Sequence, residues 1–219
     1  MLVIFDWDGT LIDSTGKIVA CMQQAAKDAG IAPRSVADIR NIIGLGLDEA
    51  LLRLYPEQAA DLRASIRQHY SARFVAADQT PCEFFPGVME SLDWLRAQGV
   101  PLAVATGKSR RGLDRVLGNL RMSDYFQGSR CADETASKPN PLMLNQLCEE
   151  FKVNANSAVF VGDTEYDLEM AHRIGMPSVG VSYGVHEPAR LANWQPLQIL
   201  DDFSALLPLV AERYGMAKP

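Results

Sequence analysis

Two carboxylates stand one residue apart near the start of this 219-residue chain, at the end of an apolar run. The run, residues 2–5, is continuously apolar, as is typical of a strand covered on both faces, and Asp6 and Asp8 follow it. Burying two carboxylates costs free energy unless they are paired or bound to a metal. Their expected location is therefore the carboxyl edge of a parallel sheet, where α/β proteins hold ligands and reactive groups.

Two later apolar runs end in a similar way. Thr106 and Gly107 close one of them, and Asp163 closes the other, with Asp167 four residues further on. A single acid after a strand is also a common cap for the next helix. Three strand ends of this kind in one chain nevertheless predict a single polar site.

The residue types at these strand ends favour chemistry on phosphate. Asp6, Asp8 and Asp163 offer hard oxygen ligands without a nearby His or Cys, which suits Mg²⁺ rather than zinc. The Thr-Gly pair opens onto a predicted helix N-terminus, whose N–H groups favour an anion, and Lys138 adds a positive charge. Together they predict phosphoryl transfer, in which catalysis is mostly positioning and charge neutralisation.

The elements that must position these residues alternate along most of the chain. From Pro86 onward, helix and strand patterns alternate, which predicts a Rossmann-like, doubly wound parallel sheet with helices on both faces. Residues 15–83 carry helical patterns only and are predicted to form an inserted all-helical cap subdomain. The catalytic core is then formed by residues 1–14 and 84–219, and Pro81 marks the return to it.

Composition restricts the partners. The formal net charge is −6 and no region concentrates Lys and Arg, which argues against a nucleic-acid partner. The four cysteines form no Cys-x-x-Cys pair, which fits reduced thiols and a cytoplasmic location. Met1 leads straight into the first predicted strand, and no apolar run is long enough to span a bilayer. We expect a cytoplasmic protein without a membrane partner, either monomeric or homodimeric.

Some residues beside the motifs have a simple structural interpretation. Asp13 and Ser14 are predicted to begin a helix. Gly44 and Gly46 are turn formers, with a substrate-facing cap loop as the alternative interpretation. A basic cluster after the second strand is predicted to form a solvated helix face, with anion binding at the site edge as the alternative. The cluster consists of Lys108, Arg110, Arg111 and Arg115.

Four motifs, in this order, resemble those of the haloacid dehalogenase superfamily of phosphohydrolases. They are Asp6-Trp-Asp-Gly-Thr10, Thr106-Gly107, Lys138-Pro139 and Gly162-Asp163-x-x-x-Asp167. The helical insertion resembles the first type of cap in that superfamily. Residues 6–14, together with residues 43–50 of the cap, are similar to phosphoglycolate phosphatases and their close relatives.

The resemblance implies a catalytic role for four residues. Asp6 would be the nucleophile that forms an aspartyl-phosphate. Asp8 would act as general acid to the leaving alcohol and then as base to the attacking water. Thr106 and adjoining backbone N–H groups would hold the phosphoryl oxygens, and Lys138 would restrain Asp6 and offset charge during the transfer.

The resemblance also implies the metal and substrate contacts. Mg²⁺ would bind Asp6, the backbone carbonyl of Asp8 and Asp163. Asp167 would orient a metal-bound water or Lys138. The residues implied to contact substrate are Gly9, Thr10, Gly44, Gly46 and Gly107.

Asp8 also separates reaction classes within the superfamily. Dehalogenases lack this acid because halide leaves without protonation, whereas an alcohol benefits from a general acid, so Asp8 predicts a phosphatase. Sugar phosphomutases place Lys and Arg in the cap loop for a second phosphate, where this chain has Ile43 and Leu47. The alternatives are a nucleotide or pyrophosphate phosphohydrolase, a sugar phosphomutase and a non-catalytic regulatory protein.

The expected substrate is a small phosphorylated metabolite such as 2-phosphoglycolate. Its carboxylate needs a hydrogen-bond donor in the cap. The sequence offers two candidates, the backbone N–H groups of residues 44–46 and the side chain of Arg40.

Overall fold

Parallel strands form the centre of the protein, seen in a computed structural model that describes residues 1–78 and 82–216. Pro81 lies outside the described residues. The strands are β1 (Leu2–Phe5), β2 (Leu102–Thr106), β3 (Gly128–Cys131), β4 (Ala158–Gly162), β5 (Ser178–Val181) and β6 (Gln198–Leu200). They pair in the order β3-β2-β1-β4-β5-β6, and all the pairings between them are parallel. The predicted doubly wound parallel sheet is confirmed.

The central strand β1 is apolar throughout because both of its faces are covered. Val3 and Phe5 belong to the core on one side of the sheet, and Leu2 and Ile4 belong to the core on the other. Side chains of successive residues in a strand point to opposite faces, so a strand between two helical layers has no polar position.

Helices and short 3₁₀ turns connect the strands. The helices in the part of the chain after residue 84 are α5 (Val88–Ala97), α6 (Arg110–Asn119), α7 (Leu142–Glu150), α8 (Glu165–His172), α9 (Pro188–Ala192) and α10 (Leu206–Tyr214). Ser109 caps α6 by accepting a hydrogen bond from the Gly112 N–H, as predicted. No helix in the described residues is long and apolar enough to cross a membrane.

Four helices follow β1 along the chain, before α5. They are α1 (Thr15–Asp28), α2 (Val36–Arg40), α3 (Leu47–Leu54) and α4 (Ala60–Ala77). They enclose a small apolar core that includes Met22, Ile39, Leu51 and Ile66. This core is separate from the two cores that cover the sheet, so the four helices pack chiefly on one another.

Candidate active site

The carboxyl ends of neighbouring strands bring the predicted motifs together. Phe5 of β1 is in register with Val104 of β2 and with Val161 of β4, so all three strands end at the same edge. Asp6 and Asp163 therefore follow neighbouring strands, and Thr106 closes the strand on the other side of β1. The loop after β3 carries Lys138 to the same place.

Lys138 lies between two carboxylates. Its Nζ is 2.7 Å from Oδ1 of Asp6 and 2.7 Å from Oδ1 of Asp167, and these side chains are almost completely buried. Burial by itself lowers the pKa of Lys138, but attraction to Asp167 and Asp6 outweighs it, and the pKa is raised. The lysine is therefore a fixed positive charge under Asp6.

Asp6, Asp163 and Asp167 form an acidic cluster whose carboxylate oxygens lie within 4.8 Å of one another. Desolvation is the main cause that raises the pKa of Asp6, to about 7; attraction to Lys138 opposes it and repulsion from Asp167 adds to it. Desolvation, together with the charges of Asp167 and Asp6, raises the pKa of Asp163 well above its usual value. The cluster thus contains three carboxylates, two of which pair with the single lysine.

The cluster fits a divalent cation with a preference for oxygen ligands. Asp6 Oδ2 is buried and has no hydrogen-bond partner among the described residues. Both oxygens of Asp167 are engaged, Oδ1 by Lys138 and Oδ2 by the N–H and hydroxyl of Thr164, which begins α8. The oxygens of Asp163 each accept one hydrogen bond from a neutral group, the Thr10 hydroxyl and the Val185 N–H, whereas Asp167 is paired with the Lys138 cation. Asp6 and Asp163 are therefore the side chains better placed to hold Mg²⁺, with Asp167 as a support for Lys138.

Gly9 and Thr10 support Asp163. A Cβ atom on Gly9, whose φ is +86°, would lie 2.3 Å from Asp163 Oδ2. The Gly9 N–H donates to the carbonyl of Ile12, and the buried Thr10 hydroxyl donates to Asp163 Oδ1 at 2.7 Å. The resemblance implied that Gly9 and Thr10 contact substrate. The structure places the Gly9 N–H and the Thr10 hydroxyl in hydrogen bonds inside the protein, and the substrate contacts stay a prediction.

Lys108 and Ser14 hold Asp8 from two sides. The sequence predicted a solvated helix face for Lys108, with anion binding as the alternative, and a helix start for Ser14. Lys108 Nζ lies 2.9 Å from each of its carboxylate oxygens, and the Ser14 hydroxyl donates to Oδ1 at 2.6 Å. Ser14 stands at the start of α1, as predicted, but its side chain caps no N–H there. The signal for Lys108 was its place two residues after Thr106, at the sheet edge that carries the acids.

The basic cluster after β2 is only partly a solvated helix face. Lys108 is almost buried against Asp8, and half-buried Arg115 pairs with Asp78 at 2.6 Å. Arg110 pairs with Glu134 at the surface, in agreement with the prediction. Exposed Arg111 makes no hydrogen bond or ion pair with any described residue, and it lines the cleft described next.

A cleft of about 1250 Å³ separates α1, α3 and α4 from the sheet edge, and Asp6, Asp8 and Thr106 line it. The loop with Gly44 and Gly46 closes one end. A Cβ on Gly107 would lie 2.6 Å from the carbonyl oxygens of Gly44 and Leu45, so glycine permits this close approach. These three glycines line the cleft as well.

Several of the donors expected for a substrate carboxylate have partners inside the protein. The N–H of Leu45 donates to the carbonyl of Ile42, and the N–H of Gly46 donates to the Ser137 hydroxyl at 2.9 Å. Arg40 donates to the carbonyls of Gly184 and Val185. The Leu45 and Gly46 N–H groups and the Arg40 side chain are thus engaged inside the protein, and the donor for a substrate carboxylate stays a prediction.

A Rossmann-like sheet with a lysine-bridged acidic site at the end of its central strand, and with helices inserted after that strand, defines a class of phosphate-processing hydrolases. Residues 3–181 match the family model described as haloacid dehalogenase-like hydrolase, and the chain belongs to this family. It is 36% identical over 210 residues to the "Probable phosphatase IndB" of Dickeya dadantii, covering 94% of this chain and 91% of that protein.

Other relatives give the same class. The chain is 30% identical to a phosphoglycolate phosphatase of Vibrio cholerae, over 95% of this chain and 96% of that protein. Among solved structures, a predicted phosphoglycolate phosphatase from Haemophilus somnus superposes with a TM-score of 0.87 at 27% identity, over 95% of this chain and 97% of that one. The protein is an enzyme of this family, a phosphatase.

Proposed function

We propose that the enzyme hydrolyses small phosphate monoesters of the 2-phosphoglycolate type, with Mg²⁺ and through an aspartyl-phosphate on Asp6. One observation carries the proposal. Asp6 lines the cleft with one carboxylate oxygen held by Lys138 and the other without a partner among the described residues, beside the second carboxylate, Asp8.

The proposed reaction consists of two displacements at phosphorus, first by Asp6 and then by water. One carboxylate oxygen of Asp6 attacks phosphorus, the bond to the leaving oxygen breaks, and Asp8 gives that oxygen a proton. Asp8 then takes a proton from water as the water oxygen attacks the aspartyl-phosphate, which releases phosphate and restores Asp6. Thr106 and nearby N–H groups would hold the phosphoryl oxygens.

The metal would add charge compensation at the same place. Mg²⁺ held by Asp6, Asp163 and the Asp8 carbonyl would offset the repulsion between the incoming phosphate and the acidic cluster. Lys138 supplies a part of the same compensation permanently, since it is buried between Asp6 and Asp167.

We also propose that residues 15–83 act as a cap over the site. The cleft lies between the helices of this segment and the sheet edge, and the segment contributes all but one of the buried residues of its apolar core, the exception being Tyr166 of α8. Closure of such a unit excludes bulk water while the intermediate forms.

Arg111 is the group that we propose for a substrate carboxylate. It lines the cleft and has no anionic partner among the described residues, whereas Arg40 and the Gly46 N–H have partners inside the protein. Ile43 and Leu47 line the cleft without charge, which disfavours a bisphosphorylated sugar.

The test is phosphate release from a panel of esters with and without Mg²⁺. The panel contains 2-phosphoglycolate, nucleoside monophosphates, pyrophosphate and hexose phosphates. We expect turnover that EDTA abolishes, the highest kcat/KM for 2-phosphoglycolate, and no turnover by Asp6→Asn. A tenfold preference is only about 1.4 kcal/mol of transition-state binding, so the assignment requires about a hundredfold. A nucleotide that wins by that margin would overturn the substrate class, and full activity in EDTA would overturn the metal.

A further inference from the structure

The side chain of Lys108 occupies the space between Asp8 and the inserted helices. Its Nζ contacts both carboxylate oxygens of Asp8 at 2.9 Å, and only 10% of each side chain is exposed. Ser14 approaches Oδ1 from the start of α1 at 2.6 Å. The direction of the Asp8 carboxylate is therefore fixed by one residue of the sheet edge and one residue at the entry to the cap.

A cap residue in turn packs on Lys108. The ring centroid of Phe74, on α4, lies 4.7 Å from Lys108 Nζ, and the ring is buried. Lys17 Nζ lies 5.7 Å from the centroid of the same ring, and Lys17 forms an ion pair with Asp78, which follows the last residue of α4. Aromatic faces attract ammonium groups, so Phe74 favours the position in which Lys108 reaches Asp8.

We propose that Lys108 is a positioning residue for proton transfer by Asp8, and that Phe74 makes this positioning depend on the place of the cap. The inference rests on the proposed function, in which Asp8 exchanges a proton with the leaving alcohol and with water. A carboxylate that acts as general acid and base must face the reacting oxygen, and the two contacts from Lys108 restrict its rotation.

Leaving groups separate this role from a structural one. An alkyl phosphate needs protonation of its leaving oxygen, whereas the leaving group of p-nitrophenyl phosphate needs little. A residue that acts through Asp8 therefore lowers kcat/KM selectively for alkyl esters, because kcat/KM covers the steps up to release of the leaving group. Hydrolysis of the aspartyl-phosphate, which also uses Asp8, is the same for both esters and enters kcat only. A residue that only stabilises the fold, or that binds the phosphoryl group, affects both substrates equally.

The experiment compares kcat/KM for an alkyl phosphate and for p-nitrophenyl phosphate in Lys108→Met, Lys108→Arg, Phe74→Leu and the control Lys27→Met, an exposed lysine on α1. For Lys108→Met we expect the alkyl kcat/KM to fall about a hundredfold, the lower end of a general acid–base contribution, with the aryl kcat/KM within about fivefold. Lys108→Arg keeps the charge and should recover most of the alkyl rate. Phe74→Leu keeps apolar bulk without the ring face and should show a smaller loss with the same selectivity.

Asp8→Asn separates a failure of the proposed function from a failure of the positioning role of Lys108. If this variant shows no selective loss on the alkyl ester, the proposed function of Asp8 is wrong. If Asp8→Asn is selective while Lys108→Met lowers both rates equally or neither, the positioning role is overturned and the proposed function stands. Thermal unfolding of each variant identifies a rate loss that is due to unfolding. If Lys108→Met is unfolded, Lys108→Arg decides the test, and a full alkyl-selective loss in this variant despite its charge overturns the proposal.

Discussion

Replacing Asp163 by Asn should stabilise the metal-free protein while removing its response to Mg²⁺. The asparagine keeps both hydrogen bonds of the carboxylate, since its carbonyl oxygen can accept from the Val185 N–H and its amide can donate to the Thr10 hydroxyl. The change therefore removes one negative charge from the buried cluster and little else.

The size of the effect follows from the distances in the cluster. At a separation of 4.8 Å and an effective dielectric constant of about 20, two carboxylates repel by about 3.5 kcal/mol. Asp163 has two such neighbours, Asp6 and Asp167, and partial protonation of the cluster relieves part of the repulsion. We expect the metal-free variant to gain about 1–3 kcal/mol, within the range measured when buried charges are replaced.

Differential scanning calorimetry in EDTA and in Mg²⁺ measures both parts of this prediction. For a chain of this length, about 2–4 °C of Tm correspond to 1 kcal/mol, so Asp163→Asn should raise the metal-free Tm by about 2–12 °C. Mg²⁺ at a hundred times its Kd should stabilise the wild type by about 2.7 kcal/mol and the variant by much less. A lower metal-free Tm for the variant, or an undiminished shift with Mg²⁺, would refute the reasoning.

Three further outcomes are expected. The pKa of Asp6 is about 7 in the folded protein against 3.8 ordinarily, so its contribution to metal-free stability falls as pH rises from about 4 to about 7. Urea unfolding in EDTA should show this slope, and Asp6→Asn should reduce it. Arg111→Met should raise KM for 2-phosphoglycolate about tenfold and leave ethyl phosphate unchanged, because a lost charged hydrogen bond costs about 1.5–3 kcal/mol; steady-state kinetics with equal losses on both esters would contradict the subsite. Burial raises the pKa of Cys131 to about 12, so iodoacetamide at pH 8 should modify this thiol only after unfolding, as mass spectrometry would detect.

The fold and the motif residues were readable from the sequence because their signals are local. Residues 2–5 have no polar position, a pattern that is required of a strand lying between two helical layers. The acids that follow such a strand are therefore expected at the sheet edge. The alternation of helix and strand after Pro86 determined the doubly wound sheet. The order of the four motifs indicated the family that the comparisons then established.

The sequence could not determine which polar groups become partners across the chain. Lys108 and Ser14 both reach Asp8, although 100 and 6 residues of chain separate them from it. Arg40 is drawn to backbone carbonyls instead of the cleft. A side chain's type limits what it can bond, but its partner is chosen by which loops meet at the sheet edge.

Thr10 and Arg111 also show which properties the sequence determined and which only the tertiary structure decided. The sequence by itself determined the fold class and the oxygen-rich chemistry of the site, because both depend on residue type and spacing along the chain. Tertiary structure alone decided that Thr10 supports Asp163 and that Arg111 lines the cleft without an ion pair to any residue in the described part of the chain. The physical reason is that hydrogen bonds and ion pairs form over about 3 Å, a distance that only the packed loops define.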